Sequence, residues 1–80
     1  MSQHPHTQPL PQDGIGRYRH YKGGEYLVLS IARHSETMEP LVCYRQLDKD
    51  TGFWVRPHDM FFGELEVDGK LQRRFVRIGD

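Results

Sequence analysis

The chain is short of most things that mark a specialised protein. It has one cysteine, Cys43, in 80 residues. That excludes an internal disulfide and a cysteine-based zinc site, and it suits a reducing compartment. It has no charge excess, with eleven Lys and Arg against eleven Asp and Glu. A strongly electrostatic nucleic-acid binder usually shows a basic balance, so that class is disfavoured, although a local basic patch stays open. There is no apolar run near the ~18 residues of a membrane span and no charged-then-apolar leader, so a soluble cytoplasmic protein is expected. His20, His34 and His58 lie far apart with no paired-ligand spacing, and neither a metal nor a cofactor is assigned. Length is scarce too. A domain this small buries only about 60% of the surface its unfolded chain exposes, which allows a shallow groove rather than a deep cleft.

What is present is a series of short apolar runs separated by turn residues. Residues 1–15 hold Pro5, Pro9 and Pro11 with little apolar surface, and they read as a disordered tail ahead of a single β domain over 16–80. His4 and His6 can chelate a metal loosely, but two solvated histidines are the plainer reading. Arg17–Tyr21 alternates as a strand, and Lys22-Gly23-Gly24 supplies a turn into a second strand, Tyr26–Arg33. At period two, Leu27, Leu29 and Ile31 share one face of that strand, with Tyr26, Val28, Ser30 and Ala32 on the other. A polar loop, 34–40, leads to Leu41–Leu47, where Val42, Tyr44 and Gln46 oppose Leu41, Cys43, Arg45 and Leu47. The loop 48–52 leads to an aromatic strand, Phe53–Arg56, stopped at Pro57. One helical turn is expected over 57–62, tucking Met60 and Phe61 onto the open end of a barrel. Asp68-Gly69 is the preferred pair for a type I′ hairpin between Glu64–Val67 and Lys70–Ile78. Leu65 and Val67 would face inward there with Leu71, Phe75 or Val76.

Six short strands, one helical turn and turn signals about every ten residues indicate an all-β fold. The expected architecture is a small SH3-like, partly open barrel of five to six antiparallel strands, with an open meander that needs a dimer partner as the alternative.

An ordered series of blocks runs through the domain: Tyr18-Arg19-His20-Tyr21-Lys22-Gly23, Ala32-Arg33-His34-Ser35-Glu36-Thr37, Val42-Cys43-Tyr44, Trp54-Val55-Arg56-Pro57, Met60-Phe61 and Arg74-Phe75. Together they resemble a family of short bacterial proteins classed only as a domain of unknown function, whose members carry a Tyr-x-His-Tyr/Phe-Lys-Gly start and a Trp-x-Arg-Pro block. The resemblance implies a small β domain of bacterial cytoplasm, and it brings no activity, cofactor or catalytic residue. The proline-rich leader and Cys43 look individual to this chain.

The residues offer three functional readings. The first is a non-enzymatic binding module whose face, built from Arg33, His34, Glu36, Tyr44, Trp54 and Arg56, holds a peptide, a small anion or an exposed nucleotide. Arg33 and Arg56 can fork onto an oxyanion, and His34 titrates near neutrality. Their proximity would follow from three successive antiparallel segments. The aromatics Tyr18, Tyr21, Tyr26, Tyr44 and Trp54 would enlarge such a face if they point outward, but wall residues of a barrel are the plainer reading. For Arg56 the plainer reading is an ion pair with Asp59 or Glu36. The second is an RNA- or DNA-binding domain using a basic strip of Arg17, Arg19, Lys22, Arg73, Arg74 and Arg77 on paired first and last strands. Such charges also protect edge strands from aggregation. The third is a small hydrolase or transferase on His34, Ser35 and Glu36, although adjacent strand residues point to opposite faces and these three also suit simple loop capping. No catalytic residue is assigned. Cys43 reads as a small buried hydrophobe. A monomer or weak dimer is expected.

Overall fold

A computed structural model of the chain describes residues 8–80. Its elements are β1 (Gly16–His20), β2 (Glu25–Arg33), β3 (Pro40–Gln46), β4 (Phe53–Pro57), α1 (His58–Phe62), β5 (Glu64–Val67), β6 (Lys70–Arg73) and β7 (Phe75–Gly79). Five strands form one antiparallel sheet in the order β4-β3-β2-β1-β7, and β5 and β6 form a separate two-stranded ribbon. The fold is all-β with one short helix, as the turn spacing indicates. First and last strands do pair, but β4 and β7 are both edges, so the sheet stays open and no closed barrel forms. No helix of the described residues is long and apolar enough to cross a membrane. The suggested His4–His6 chelate lies outside the described residues.

The turns follow their residues. His20 and Gly24 close the first hairpin through Gly23 N–H to His20 C=O (2.8 Å) and His20 N–H to Gly24 C=O (3.1 Å). Asp68 and Gly69 both take positive φ, at 52° and 78°, as a type I′ turn requires. The ribbon ends where the sequence shows no turn signal. Instead of one strand from Lys70 to Ile78, the chain leaves the ribbon at Arg74. That residue's N–H donates to Gly63 C=O (3.2 Å), and its C=O accepts from Tyr21 N–H (2.9 Å), which sends the chain on to pair with β1. Among the described residues, seven strands result instead of six.

One bulge rewrites the facing of β2. Val28 stands opposite Tyr44 and Ser30 opposite Cys43, which leaves Leu29 as an extra residue. The inward positions therefore run Tyr26, Val28, Ile31. Val28 and Ile31 are buried in the core, whereas Leu29 is exposed. The expected sharing of one face by Leu27, Leu29 and Ile31 fails because the alternation slips by one residue at that point. With apolar groups on both sides, the sequence conceals the slip.

The core consists of Tyr18, Val28, Ile31, Val42, Tyr44, Phe61 and Phe75, with Leu10, Tyr26 and Phe62 packed around it. It lies between the concave face of the five-stranded sheet and α1. The Phe61 ring stacks parallel on Phe75 (centroids 4.0 Å, 6°) and meets Tyr18 and Tyr44 edge-on at 5.4 and 5.2 Å. Pro57 precedes the helix without donating, so no N–H is lost. Only half of the expected tuck is seen, since Phe61 is fully buried while Met60 is half exposed; Phe62 takes its place beside Tyr18 at 5.8 Å. On the ribbon, Leu65 and Val67 are partly buried, but Leu71 faces solvent opposite Glu66.

The described part of the leader, residues 8–15, contains no strand or helix, yet it is fastened to the sheet. Gln12 uses both ends of its amide on one residue: Oε1 accepts from Ile31 N–H and Nε2 donates to Ile31 C=O, each at 2.9 Å. The Tyr18 hydroxyl donates to Gly14 C=O at 2.7 Å. At Gly16 (φ +148°) a Cβ would come within 2.7 Å of Gly79 C=O, so β1 and β7 approach here only with glycine.

Truncating the central ring should be severe. Phe61→Ala is expected to lower stability by about 3–5 kcal/mol, comparable with the whole margin of a domain this size. Its neighbour Met60→Ala should stay within about 0.5 kcal/mol. Urea unfolding followed by circular dichroism distinguishes the two.

Candidate functional site

The loop 34–39 is built by its own side chains. His34 Nδ1 accepts from the backbone N–H groups of Glu36 (3.1 Å) and Thr37 (3.2 Å). Backbone bonds from His34 N–H to Glu39 C=O and from Met38 N–H to His34 C=O close the turn at 2.8 and 2.9 Å. Arg33 donates to Met38 C=O (3.3 Å) and to Gln8 C=O (3.0 Å), tying the loop and leader together. Glu36 is exposed at the tip, and Ser35 is exposed with no histidine hydrogen-bonded to it. These residues shape a loop, and a nucleophile-base arrangement at His34, Ser35 and Glu36 finds no support in this geometry.

The other half of the expected face lies elsewhere. Pairing sets Tyr44 against Trp54 and Val42 against Arg56, so these four share the concave side. Tyr44 is buried in the aromatic core, packed on Tyr26, Phe61 and Phe75, and cannot meet a ligand. Arg33 stands opposite Pro40, four residues along β3 from the Tyr44–Trp54 row, a separation of about 13 Å along the strand. The six residues therefore divide into a loop group, a core residue and an edge pair, Trp54 and Arg56. The aromatic platform dissolves similarly: Tyr18 and Tyr44 are core, Tyr26 packs against it, and Trp54 alone of the five is exposed.

Strand β4 is the exposed feature. Phe53, Trp54 and Val55 are 75%, 50% and 62% exposed, on a strand hydrogen-bonded on one side only. Trp54 Nε1 donates to Thr51 Oγ1 at 3.1 Å, which holds the indole over the hairpin loop. Phe53 and Val55 lie on the convex side, opposite Arg45 and Cys43. Cys43 is thus half-buried on the outer face, not a core residue. The sequence marks a short aromatic strand here and offers Trp54 and Arg56 for a binding face, but only the sheet order reveals the strand as an edge.

Arg56 is distinctive. Its Nε is buried and donates to no atom of the described residues. The ion pairs of the described residues are Arg19–Glu25 and Arg77–Asp80, and Asp59 Oδ1 lies 3.4 Å from His58 Nδ1, so the expected pairing of Arg56 with Asp59 or Glu36 does not occur. His20 lies edge-on to Phe75 (4.8 Å) and tilted on Tyr21 (4.6 Å), and its Nδ1 accepts from Lys22 N–H at 3.1 Å. Burial first, then the positive charges of Arg56, Arg74 and Lys22, hold the His20 imidazole below its ordinary range. Burial also pushes the Tyr18 hydroxyl up, outweighing the nearby Arg77 charge.

The basic strip is divided. Arg17 and Arg19 alternate with buried Gly16 and Tyr18 and so lie on the convex face, whereas Arg77 pairs with Tyr18 on the concave one. Arg19 and Arg77 are already matched by Glu25 (3.4 Å) and Asp80 (3.0 Å). Arg73 reaches Phe62 C=O at 3.4 Å, and Lys22 Nζ sits 5.8 Å from the Tyr21 ring centre. A cleft of about 280 Å³ does bring Arg19, His20, Tyr21, Gln72 and Arg73 together. Among the described residues no group of His, Cys, Asp and Glu converges as a metal site.

The model of a family described as a protein of unknown function, DUF1653, matches residues 16–77. A crystal structure of a DUF1653 protein from Bordetella bronchiseptica is similar to this chain, with a TM-score of 0.74 and 36% identity, over 81% of this chain and 86% of that one. No curated protein matches.

Because the folded state disfavours the His20 cation, the unfolded state binds the extra proton more readily. Stability should be unaffected by this group above its ordinary value of 6.5 and should fall as pH drops from there towards the lowered folded value. The urea midpoint difference between wild type and His20→Gln, measured across that window, should shrink on acidification.

Proposed function

The chain belongs to the DUF1653 family, whose description assigns no activity, and we propose that it is a non-enzymatic binding module that receives an extended peptide along β4. The observation that carries this reading is an edge strand whose Phe53, Trp54 and Val55 are all exposed. Edge strands in soluble proteins are commonly blunted by lysine, proline or a covering segment, and β4 has only Pro57, at its end. A five-residue edge accommodates one short strand. Backbone hydrogen bonds would supply affinity, and alternate side chains would be read by Trp54 on one face and by Phe53 and Val55 on the other.

Charge selects the occupant. The only charged residues of β3 and β4 are Arg45 and Arg56. A second copy added edge to edge would bring two basic ribbons together, whereas a peptide carrying an acidic residue complements them. The reading keeps Trp54 and Arg56 from the sequence-derived face and assigns Arg33, His34 and Glu36 to loop structure.

A second reading, contact with RNA or DNA, draws on the cleft that holds Arg19, Tyr21 and Arg73. Its mark is affinity that falls steeply with salt.

Titration of the labelled protein with extended acid-bearing peptides tests the proposal. Amide shifts should centre on residues 53–57, with a change in the emission of Trp54, the chain's one tryptophan. Trp54→Ala should weaken binding at least about tenfold, the usual cost of losing a central aromatic anchor. Shifts centred on 34–39, or a stable homodimer that occupies β4, would contradict it.

A further inference from the structure

We propose that the open edge of β2 over residues 29–33 is a docking site for extended, proline-rich segments that carry a glutamine, and that the chain's own leader, residues 8–12, occupies it as a displaceable strap. The site lies on the side of β2 away from β3 and β4, and it does not depend on strand addition at β4.

The edge is open because of where β1 begins. Pairing of β1 with β2 starts with Gly16 opposite Val28, so on that side residues 29–33 have no strand beside them among the described residues. Ile31 turns both its N–H and its C=O into this gap, and the Gln12 amide meets them, each at 2.9 Å. Gln12 Nε2 donates a second bond to Leu10 C=O, also at 2.9 Å. One side-chain amide thus stands where the peptide unit of an added strand would stand. Two further contacts continue the track along the edge. Arg33 donates to Gln8 C=O at 3.0 Å, and Leu10 packs against the core.

The leader shows what the site accepts. Residues 8–12 read Gln-Pro-Leu-Pro-Gln. Pro9 and Pro11 have no N–H, and each holds the residue before it extended. Such a segment cannot join the sheet through a backbone ladder, but it is already stretched before it docks, so docking gives up little conformational entropy. A side-chain amide is then the group left to meet Ile31. The strap is also loosely seated. Of residues 8–12 only Leu10 is partly buried, and the other four are exposed. A cleft of about 330 Å³ remains beside it, lined by Leu10, Pro11, Asp13, Ile31, Pro40 and His58. The family model matches residues 16–77, so Ile31 and Arg33 lie within the family domain and the strap lies outside it.

Hydrogen exchange and peptide titration of the full-length labelled protein test this. In wild type the Ile31 amide, held by a leader side chain, should exchange faster than that of Val42, through local release of the strap. Gln12→Ala should open the edge. So, independently, should Gln12→Glu, which keeps an acceptor for Ile31 N–H but removes the donor to its C=O. Preserved spectral dispersion confirms that each variant is folded. A capped peptide Gln-Pro-Leu-Pro-Gln, which carries no charge, should bind both variants saturably, with shifts at Ile31 and Arg33, and restore protection to the Ile31 amide. Its affinity for wild type should be at least about tenfold lower, because the leader must leave first. The same peptide ending in alanine should bind the variants about tenfold more weakly, the value of one or two net hydrogen bonds. Phe53→Lys, combined with Gln12→Ala, spoils the β4 edge and should leave this binding unchanged, so failure of strand addition and failure of this site read differently. Ile31 protection equal to that of Val42, no saturable binding to either open variant, or peptide shifts centred on 53–57 would overturn the proposal. A wild-type dimer that the peptide dissociates would overturn it too, since the occupant would then be a second copy's leader.

Discussion

The parallel stack of Phe61 on Phe75 holds the molecule together. It joins the one helical turn to the last strand, and Tyr18 and Tyr44 close on Phe61 from the first and third strands. An open five-stranded sheet has a concave face that must be covered. In so short a chain one turn of helix does the covering, and one ring does most of the work of that turn. The pairing of β1 with β7, the departure of the chain from the ribbon at Arg74, and the position of Pro57 ahead of α1 all serve to bring Phe61 and Phe75 together. The two edges of the sheet are what remains once that has been achieved.

Much of this was legible in the residues. Every turn with an Asp-Gly or Gly-Gly signal lies where its chemistry puts it, because positive φ is a local demand. The two faces of β3 were legible as sets, Val42 with Tyr44 against Leu41 with Cys43, but which set turns inward was not, since both carry apolar groups. The bulge at Leu29 was not, because Leu27, Leu29 and Ile31 on one phase and Val28 and Ala32 on the other are all apolar, and either phase looks able to be buried. Nor was the division at Arg74, where no turn residue marks the break and the deciding hydrogen bonds come from Gly63 and Tyr21, 11 and 53 positions away.

The candidate site was half legible for the same reason. Residue type alone pointed to Arg33, His34 and Arg56 as able side chains. Whether such a side chain is free depends on what the fold has already asked of it. Arg33 and His34 are spent on backbone carbonyls and N–H groups of their own loop, and Tyr44 on the core. Trp54 and Arg56 belong to an edge, and strand order is a long-range property that periodicity does not encode. His20 read as one histidine among several, yet the fold packs its ring against Tyr21, Tyr26 and Phe75. The proposed strand addition has the same origin: the sheet ends at β4, and Phe53, Trp54 and Val55 are left exposed on an edge without a partner strand.

Native-state hydrogen exchange, compared strand by strand at several protein concentrations, tests the openness of β4 most directly. If the edge is free, the β3 amides should exchange only through near-global unfolding. The amides of Phe53–Arg56 that point away from β3 should exchange with little protection at every concentration. Protection of all β4 amides equal to that of β3, or protection that grows with concentration, would mean that the edge is already covered, and would contradict the account.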